Sequence, residues 1–474
     1  MHAPLLALLL AAAPPPAAPV RTLRVDFFHT GDATHELFAV DRLVIEPAPW
    51  PGNPKRPFDD TGLGNYFLEV KDAGSGALLY SRGFSSIYGE WEDTPAARER
   101  VRTLEESLRF PLPGVKVEVT LKKRSRGKPF APVWSFAVDP RSDDIDDTSP
   151  PSPGPLMKLM VNGPPSDKVD LLLLCDGYTA AQRADFERDA RRLMAVLFAT
   201  SPFRERRGDF NVWGLCAPSS APGISRPSTG IHHRSRVGAT YDAFGSERYI
   251  LTFDNRSFRD VASFAPYDFV EILVNGETYG GGGIFGLYGT AAAKSLWAPY
   301  VFVHEFGHHF AGLADEYFTS ESALLPAQGR PEPWEPNVTA LADPAKLKWQ
   351  ELVTPGTPVP TPWKKPAFET RDRELQAIRK RIRAEKRPEK EMDALFQKTK
   401  EEMTALLGSD TYAGAVGAFE GAMYESSGYY RPQEDCIMFT RNDVPFCRVC
   451  QRAISQVIDL YSSPAPAPMP SGPR

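Results

Sequence analysis

The chain has 474 residues, 42% hydrophobic and 24% charged, which is enough for two or three domains with substantial cores and too apolar for a disordered polymer. A net charge of −5 and a pI near 6.0 argue against a dedicated nucleic-acid binder, which would carry a basic domain or stripe. Proline is abundant at 46 residues, and beyond the N-terminal run no apolar stretch approaches the ~18 residues that span a bilayer, so collagen, coiled-coil fibres and integral membrane proteins are excluded.

Residues 1–21 hold a short apolar run, Leu5 to Ala13, followed by Pro14, Pro15 and Pro16. This reads as a secretory signal, too short for an anchor, so the expected location is secreted or the periplasm and cell envelope. From 22 to 139 the apolar residues alternate, as in Leu23, Val25 and Phe27 or Val115, Val117, Val119 and Leu121, between Pro/Gly/Asp clusters. That pattern predicts an N-terminal antiparallel β-sandwich domain. Residues 140–160, rich in proline and aspartate, predict a stiff linker.

The second domain, 161–462, opens on the apolar strand Val169 to Leu174, of a kind buried on both faces. An amphipathic helix follows with Phe186, Ala190, Leu193 and Leu197 at helical spacing, and then the strands Phe210 to Leu215 and Phe269 to Val274. This order indicates an α/β layer. Residues 364–407 are charged, with Leu375, Ile378 and Ile382 as a stripe and Pro388 splitting the segment, which predicts an inserted helical hairpin. Residues 463–474 have the composition of a disordered tail.

The five cysteines are Cys175, Cys216, Cys436, Cys447 and Cys450. The Cys447–Cys450 pair has C-x-x-C spacing but no second pair to complete a zinc ribbon and no thioredoxin-like context. A local disulfide among Cys436, Cys447 and Cys450, or buried thiols, is the expected arrangement.

The segment Pro299 to Tyr317 carries the chemistry. Pro299 suits the first turn of a helix, on which His304 and His308 share a face. Two imidazoles at that spacing bind one Zn²⁺, and Glu305 between them is placed to accept a proton from the attacking water and pass it on. Gly312 can end the helix in a left-handed conformation and return the chain, making Asp315 the third ligand. Glu316 and His309 are the alternatives, as ligands or as groups behind the ligands. Metzincins share the glycine-to-acid spacing of Gly312 and Asp315, although one residue is added here before the glycine. They also place a methionine turn beneath the metal, a position that Met438 fits. Tyr429 and Tyr430 are candidate oxyanion stabilisers. The glycine-rich stretch Tyr279 to Gly289 is either a substrate-pairing edge, at Gly283, Ile284 and Phe285, or a turn with no ligand.

Several ordered segments together resemble the IgA-peptidase family of zinc metallopeptidases, metallopeptidase family 64. They include H-T-G-D-A at His29 to Ala33, P-W-P-G at Pro49 to Gly52, C-D-G-Y-T at Cys175 to Thr179 and F-R-D-V-A at Phe258 to Ala262. The glycine-rich stretch, H-E-F-G-H-H-F-A-G-L-A-D-E-Y at His304 to Tyr317, F-E-G-A at Phe419 to Ala422 and Y-R-P at Tyr430 to Pro432 complete the set. The resemblance implies an α+β multidomain protein, with the N-terminal β domain followed by a metzincin-like α/β zinc-peptidase domain. It also implies His304 and His308 as ligands and Glu305 as catalytic acid/base. The hairpin at 364–407 is not part of the family pattern. The expectation is an exported zinc endopeptidase acting on protein or peptide substrates, with one catalytic Zn²⁺, no nucleic-acid partner and no membrane segment after signal removal. A secreted adhesive or scaffold protein with a structural or silent metal site is the alternative. Glu305 disfavours it, because a structural zinc site needs no such carboxylate.

Overall fold

The computed structural model describes residues 19–125, 127–320 and 329–462. The apolar run of the expected signal segment and the whole of the expected tail lie outside the described residues. The fold is mixed α+β.

Alternation of Leu23, Val25 and Phe27 with polar residues forms the strand Arg21–Gly31, and all three side chains are sealed from solvent. This strand lies between Arg102–Pro111 and Glu36–Pro49 in a four-stranded sheet, with Ile145–Asp146 at the far edge. A second sheet runs in the order Leu78–Phe84, Tyr66–Asp72, Val117–Lys123 and Ala131–Val138. The pairings are antiparallel except for that of Ile145–Asp146, which is parallel. Side chains of both sheets, including Phe27, Phe110, Tyr66 and Val119, pack into one apolar cluster. Val115 falls in the bend before its expected strand and is 42% exposed.

The Pro/Asp-rich stretch is tied down rather than free. Ile145–Asp146 extends the first sheet, and Met157–Met160 forms an edge strand of the next one. The few apolar residues among the prolines find open strand edges, whose unpaired N–H and C=O groups accept a partner.

The second region is built on a six-stranded sheet. Its order is Gly281–Ile284, Tyr288–Ala292, Phe269–Val274, Val169–Asp176, Phe210–Leu215 and Met157–Met160. The central strands are parallel and each edge strand is antiparallel to its neighbour. Val169–Asp176 is buried along its whole length, as its apolar run requires. The helix Arg183–Leu197 buries Phe186, Ala190, Leu193 and Leu197 on one face. Leu174 pairs with Leu215 on adjacent parallel strands, which brings Cys175 and Cys216 together as a disulfide with Cα atoms 4.8 Å apart. Cys436, Cys447 and Cys450 form no local disulfide and are buried free thiols.

The two regions are joined by polar contacts. Arg24 and Arg42 both donate to Asp260, Arg109 donates to the Tyr267 carbonyl at 3.0 Å, and the Ser85 N–H donates to the Phe285 carbonyl at 2.7 Å. The 364–407 segment forms the helices Lys365–Ala384 and Glu389–Leu407, with Pro388 capping the second. Its buried face follows Phe368, Asp372, Leu375 and Ile382, while Ile378 is 38% exposed. The helical period instead passes through Arg379, whose guanidinium lies over Tyr279 and Phe396.

Candidate active site

Pro299 lies in the first turn of the helix Ala298–Ala311, and four-residue spacing puts His304 and His308 on one face. His304 Nδ1 is 2.9 Å from the Ile437 carbonyl oxygen, and His308 Nδ1 contacts that of Leu313. A carbonyl oxygen only accepts, so each Nδ1 carries a proton and each Nε2 is the nitrogen available for coordination. Gly312 closes the helix at φ 58°, a left-handed conformation that glycine adopts without cost, and the chain turns back. Asp315 Oδ1 thereby comes within 3.1 Å of His304 Nε2 and 3.2 Å of His308 Nε2, and the two nitrogens lie 3.2 Å apart.

These three edges test the fit of a metal. Ligands about 2.0–2.1 Å from a tetrahedral zinc are separated by about 3.3 Å, so two imidazoles and one carboxylate suit that ion in both type and spacing. The electrostatics agree. Burial pulls the His308 imidazole down, but the Asp315 carboxylate outweighs it and raises the pKa to about 9. Burial would raise Asp315, yet His308 and His304 hold it well below the usual carboxylate range. The cluster demands positive charge, which a proton or a bound cation meets.

A strained hairpin turn holds Asp315 from its other side. Met423 and Tyr424 link the strands Phe419–Ala422 and Glu425–Arg431 with φ of 50° and 64°, left-handed values that cost a non-glycine residue of order 1 kcal/mol or more. The Met423 N–H donates to the Asp315 carbonyl and the Tyr424 N–H to that of Tyr317, each at 3.0 Å. So held, the Tyr424 O–H donates to Asp315 Oδ2. Tyr317 contacts the Tyr424 phenol at 3.3 Å and accepts from Arg248 at 3.1 Å. Met438 is fully buried against the ligand helix, where a Cβ added at Gly307 would lie 3.0 Å from its sulfur.

The cluster opens into a cleft of about 440 Å³ between the two regions. Glu305, His308, Asp315 and Tyr424 line it, together with Gly283, Ile284 and Phe285 of the edge-strand segment and Ser85, Glu90 and Asp93 of the N-terminal region. A smaller hollow on the other side of Glu305 also meets His304 and is walled by Phe368, Asp372 and Met403 of the inserted hairpin. The edge strand approaches the helix so closely that a Cβ on Gly283 would lie 2.3 Å from the Glu305 carbonyl oxygen. Part of its outer edge is covered, because the Ile250 N–H donates to the Gly281 carbonyl at 3.1 Å and Ser85 takes that of Phe285.

Other candidate residues lie elsewhere. His309, rotated about 100° from His308 on the helix, faces the sheet, with Nδ1 2.7 Å from Glu271 Oε1. Burial lowers its pKa to about 3 and pushes Glu271 well up, so the pair is neutral. Glu316 turns away from the histidines towards Cys447 and Cys450 and accepts from Asn337 at 2.9 Å. Tyr429 lines the cleft, with its hydroxyl on the Pro331 carbonyl, whereas Tyr430 is not among the lining residues and pairs by its backbone with Thr339. Tyr317, Tyr424 and Arg248 escaped the sequence reading. Tyr317 had a signal, since it directly follows the two acids after Gly312. Tyr424 had only its place two residues after the F-E-G-A segment.

The fold and site define a two-part α+β protein with a candidate metal cluster in the cleft between its parts. Residues 157–458 match the family model described as IgA Peptidase M64, and residues 17–135 match the one described as Peptidase M64 N-terminus. The chain therefore belongs to the IgA Peptidase M64 family, a family of peptidases, whose substrates are proteins. No curated protein matches it.

Proposed function

We propose that this peptidase is an exported, zinc-dependent endopeptidase in which His304, His308 and Asp315 hold the metal and Glu305 is the general base and acid. The observation that carries the proposal is the convergence of His304 Nε2, His308 Nε2 and Asp315 Oδ1 at 3.1–3.2 Å beside Glu305 in an open cleft. When bound, the zinc supplies a Lewis acid for the attacking water and the scissile carbonyl. Glu305 takes a proton from the water as its oxygen attacks the carbonyl carbon. It then delivers that proton to the amide nitrogen as the C–N bond breaks, so that a carboxylic acid and an amine leave. Ile437 and Leu313 hold the two imidazoles in one tautomer, and Tyr424 holds the Asp315 carboxylate.

The fold reading that accompanies this is a metzincin-like catalytic region joined to an N-terminal β-sandwich. Met438 packed against Gly307 and the two sheets sharing one core support it. That Gly283, Ile284 and Phe285 line the cleft supports an extended peptide running beside them. Export rests on the apolar N-terminus and on the Cys175–Cys216 disulfide, which persists in oxidising compartments. The test is cleavage of a denatured protein pool by the wild type before chelation, after chelation and after zinc is restored. Loss and recovery of cleavage are expected. Cleavage indifferent to chelation would refute the metal dependence.

A further inference from the structure

Glu316 and the three free thiols form a second, separate cluster. Glu316, Cys436, Cys447 and Cys450 are all buried, and one ligand atom from each lies within 4.8 Å of every other. Cys436 Sγ and Cys450 Sγ are 4.0 Å apart, and Glu316 Oε1 is 3.5 Å from Cys450 Sγ and 3.9 Å from Cys447 Sγ. Zinc ligands at about 2.3 Å for sulfur and about 2.0 Å for oxygen, set tetrahedrally, give edges of about 3.8 Å between sulfurs and about 3.5 Å from sulfur to oxygen. These three separations fit the edges of a tetrahedral donor set, and the Cys436–Cys450 pair is far too wide for a disulfide, whose sulfurs lie about 2.05 Å apart.

Backbone N–H groups point at two of the sulfurs. The Met438 and Cys447 N–H groups donate to Cys436 Sγ at 3.5 and 3.2 Å, and the Cys450 N–H donates to Cys447 Sγ at 3.4 Å. Glu316 Oε2 is buried and has no partner among the described residues, so a carboxylate has been taken out of water with one oxygen unanswered. Arg431, fully buried nearby, sends its N–H groups to the carbonyl oxygens of Gly421 and Glu434, and its charge acts on Glu316 and Cys436. The chain also contains one formed disulfide, so three thiols kept together and reduced need something to hold them.

We propose that Cys436, Cys447, Cys450 and Glu316 form a structural zinc site, closed by four protein ligands and distinct from the histidine cluster. Thiolate ligands select zinc, and three thiolates with one carboxylate, leaving no open position, suit a structural rather than a reactive ion. The site ties together three segments, two of which carry groups at the histidine cluster. Glu316 adjoins Asp315, Cys436 begins the turn whose Ile437 carbonyl orients His304, and Cys447 and Cys450 sit at the start of the helix Arg448–Ser462. It rests on the sulfur cluster alone and stands whether or not the histidine cluster supports peptidase chemistry.

The test is metal content of the full chain by plasma mass spectrometry, with cobalt substitution as a readout that needs no variant. Two zinc ions per wild-type chain are expected, one in His304→Ala/His308→Ala and one in Cys450→Ser. The Cys450→Ser ion should be the one removed by the histidine substitutions. Cobalt in the wild type and in the histidine variant should give an intense near-ultraviolet sulfur-to-metal band. That spectrum decides the matter if Cys450→Ser does not fold. The proposal is overturned if the histidine variant holds no metal and shows no such band, or if peptide mapping finds a disulfide among the three cysteines. A wild type with one ion that survives the histidine substitutions would leave this proposal standing and remove the catalytic metal instead.

Discussion

Gly283 is where the edge strand presses on the ligand helix, and Gly283→Ala adds one methyl at that point. The new Cβ would lie 2.3 Å from the Glu305 carbonyl oxygen and 3.0 Å from His308 Cβ, where ordinary contact begins at 3.4 Å. Backbone atoms cannot rotate away, so helix and strand must separate by about 1 Å. Overpacking of this kind costs about 1–3 kcal/mol of stability. A 1 Å displacement of reacting groups costs about 100-fold in rate. Gly283→Ala should therefore fold with a Tm lowered by a few degrees and lose about 100-fold in kcat/KM on a fluorescently labelled, denatured protein. Gly208→Ala is the control, because a Cβ there meets nothing within 4 Å, and it should behave as wild type. A Gly283→Ala protein with unchanged Tm and full activity would refute the claim that this contact positions the catalytic helix.

Tyr424→Phe removes the hydrogen bond to Asp315 Oδ2 while keeping the ring; a charged hydrogen bond of about 1.5–3 kcal/mol predicts 10- to 100-fold weaker retention of the histidine-bound zinc in a chelator competition. Cys175→Ser/Cys216→Ser opens a loop spanning 41 residues of separation, and chain entropy predicts a loss of about 4 kcal/mol, read by denaturant unfolding under non-reducing conditions. Asp170 is buried with Trp213 and Asn211 donating to it, and burial still pushes its carboxyl up to about 7. The unfolded chain ionises this group near 3.9 while the folded chain holds the proton, so its contribution, at most about 4 kcal/mol, is present at acid pH and is lost as pH rises towards 7. Asp170→Asn should flatten the decline of Tm between pH 4.5 and 7.5, and an unchanged profile would show that Asp170 does not drive it.

Much of the candidate site was readable because its signals are local. His304 and His308 depend only on helical spacing, Gly312 on its left-handed turn, and Asp315 on its distance from that glycine. The buried strands were legible for the same reason, as Val169–Asp176 announces itself by an unbroken apolar run. What depends on tertiary register was hidden. Cys175 and Cys216 meet only because their strands are adjacent and parallel, 41 residues apart. Tyr424 reaches Asp315 through a hairpin turn with two non-glycine residues at positive φ, which no propensity favours. Of the two tyrosines named from their place upstream of Met438, Tyr429 lines the cleft and Tyr430 does not, because strand register decides which one faces it. Ile378 was misassigned because a three-residue step from Leu375 looks as helical as the four-residue step to Arg379, and burial of the Arg379 guanidinium over aromatic rings decides between them.

In the proposed function, Glu305 moves the proton in peptide-bond hydrolysis. Mass-spectrometric mapping of new N-termini in a denatured protein pool, comparing wild type with Glu305→Gln, tests it most directly. The substitution keeps the side chain's size and leaves His304, His308 and Asp315 intact. Unchanged zinc content and a set of wild-type cleavages slowed at least about 100-fold in the variant are expected. Equal cleavage by the two proteins at equal zinc content would contradict it.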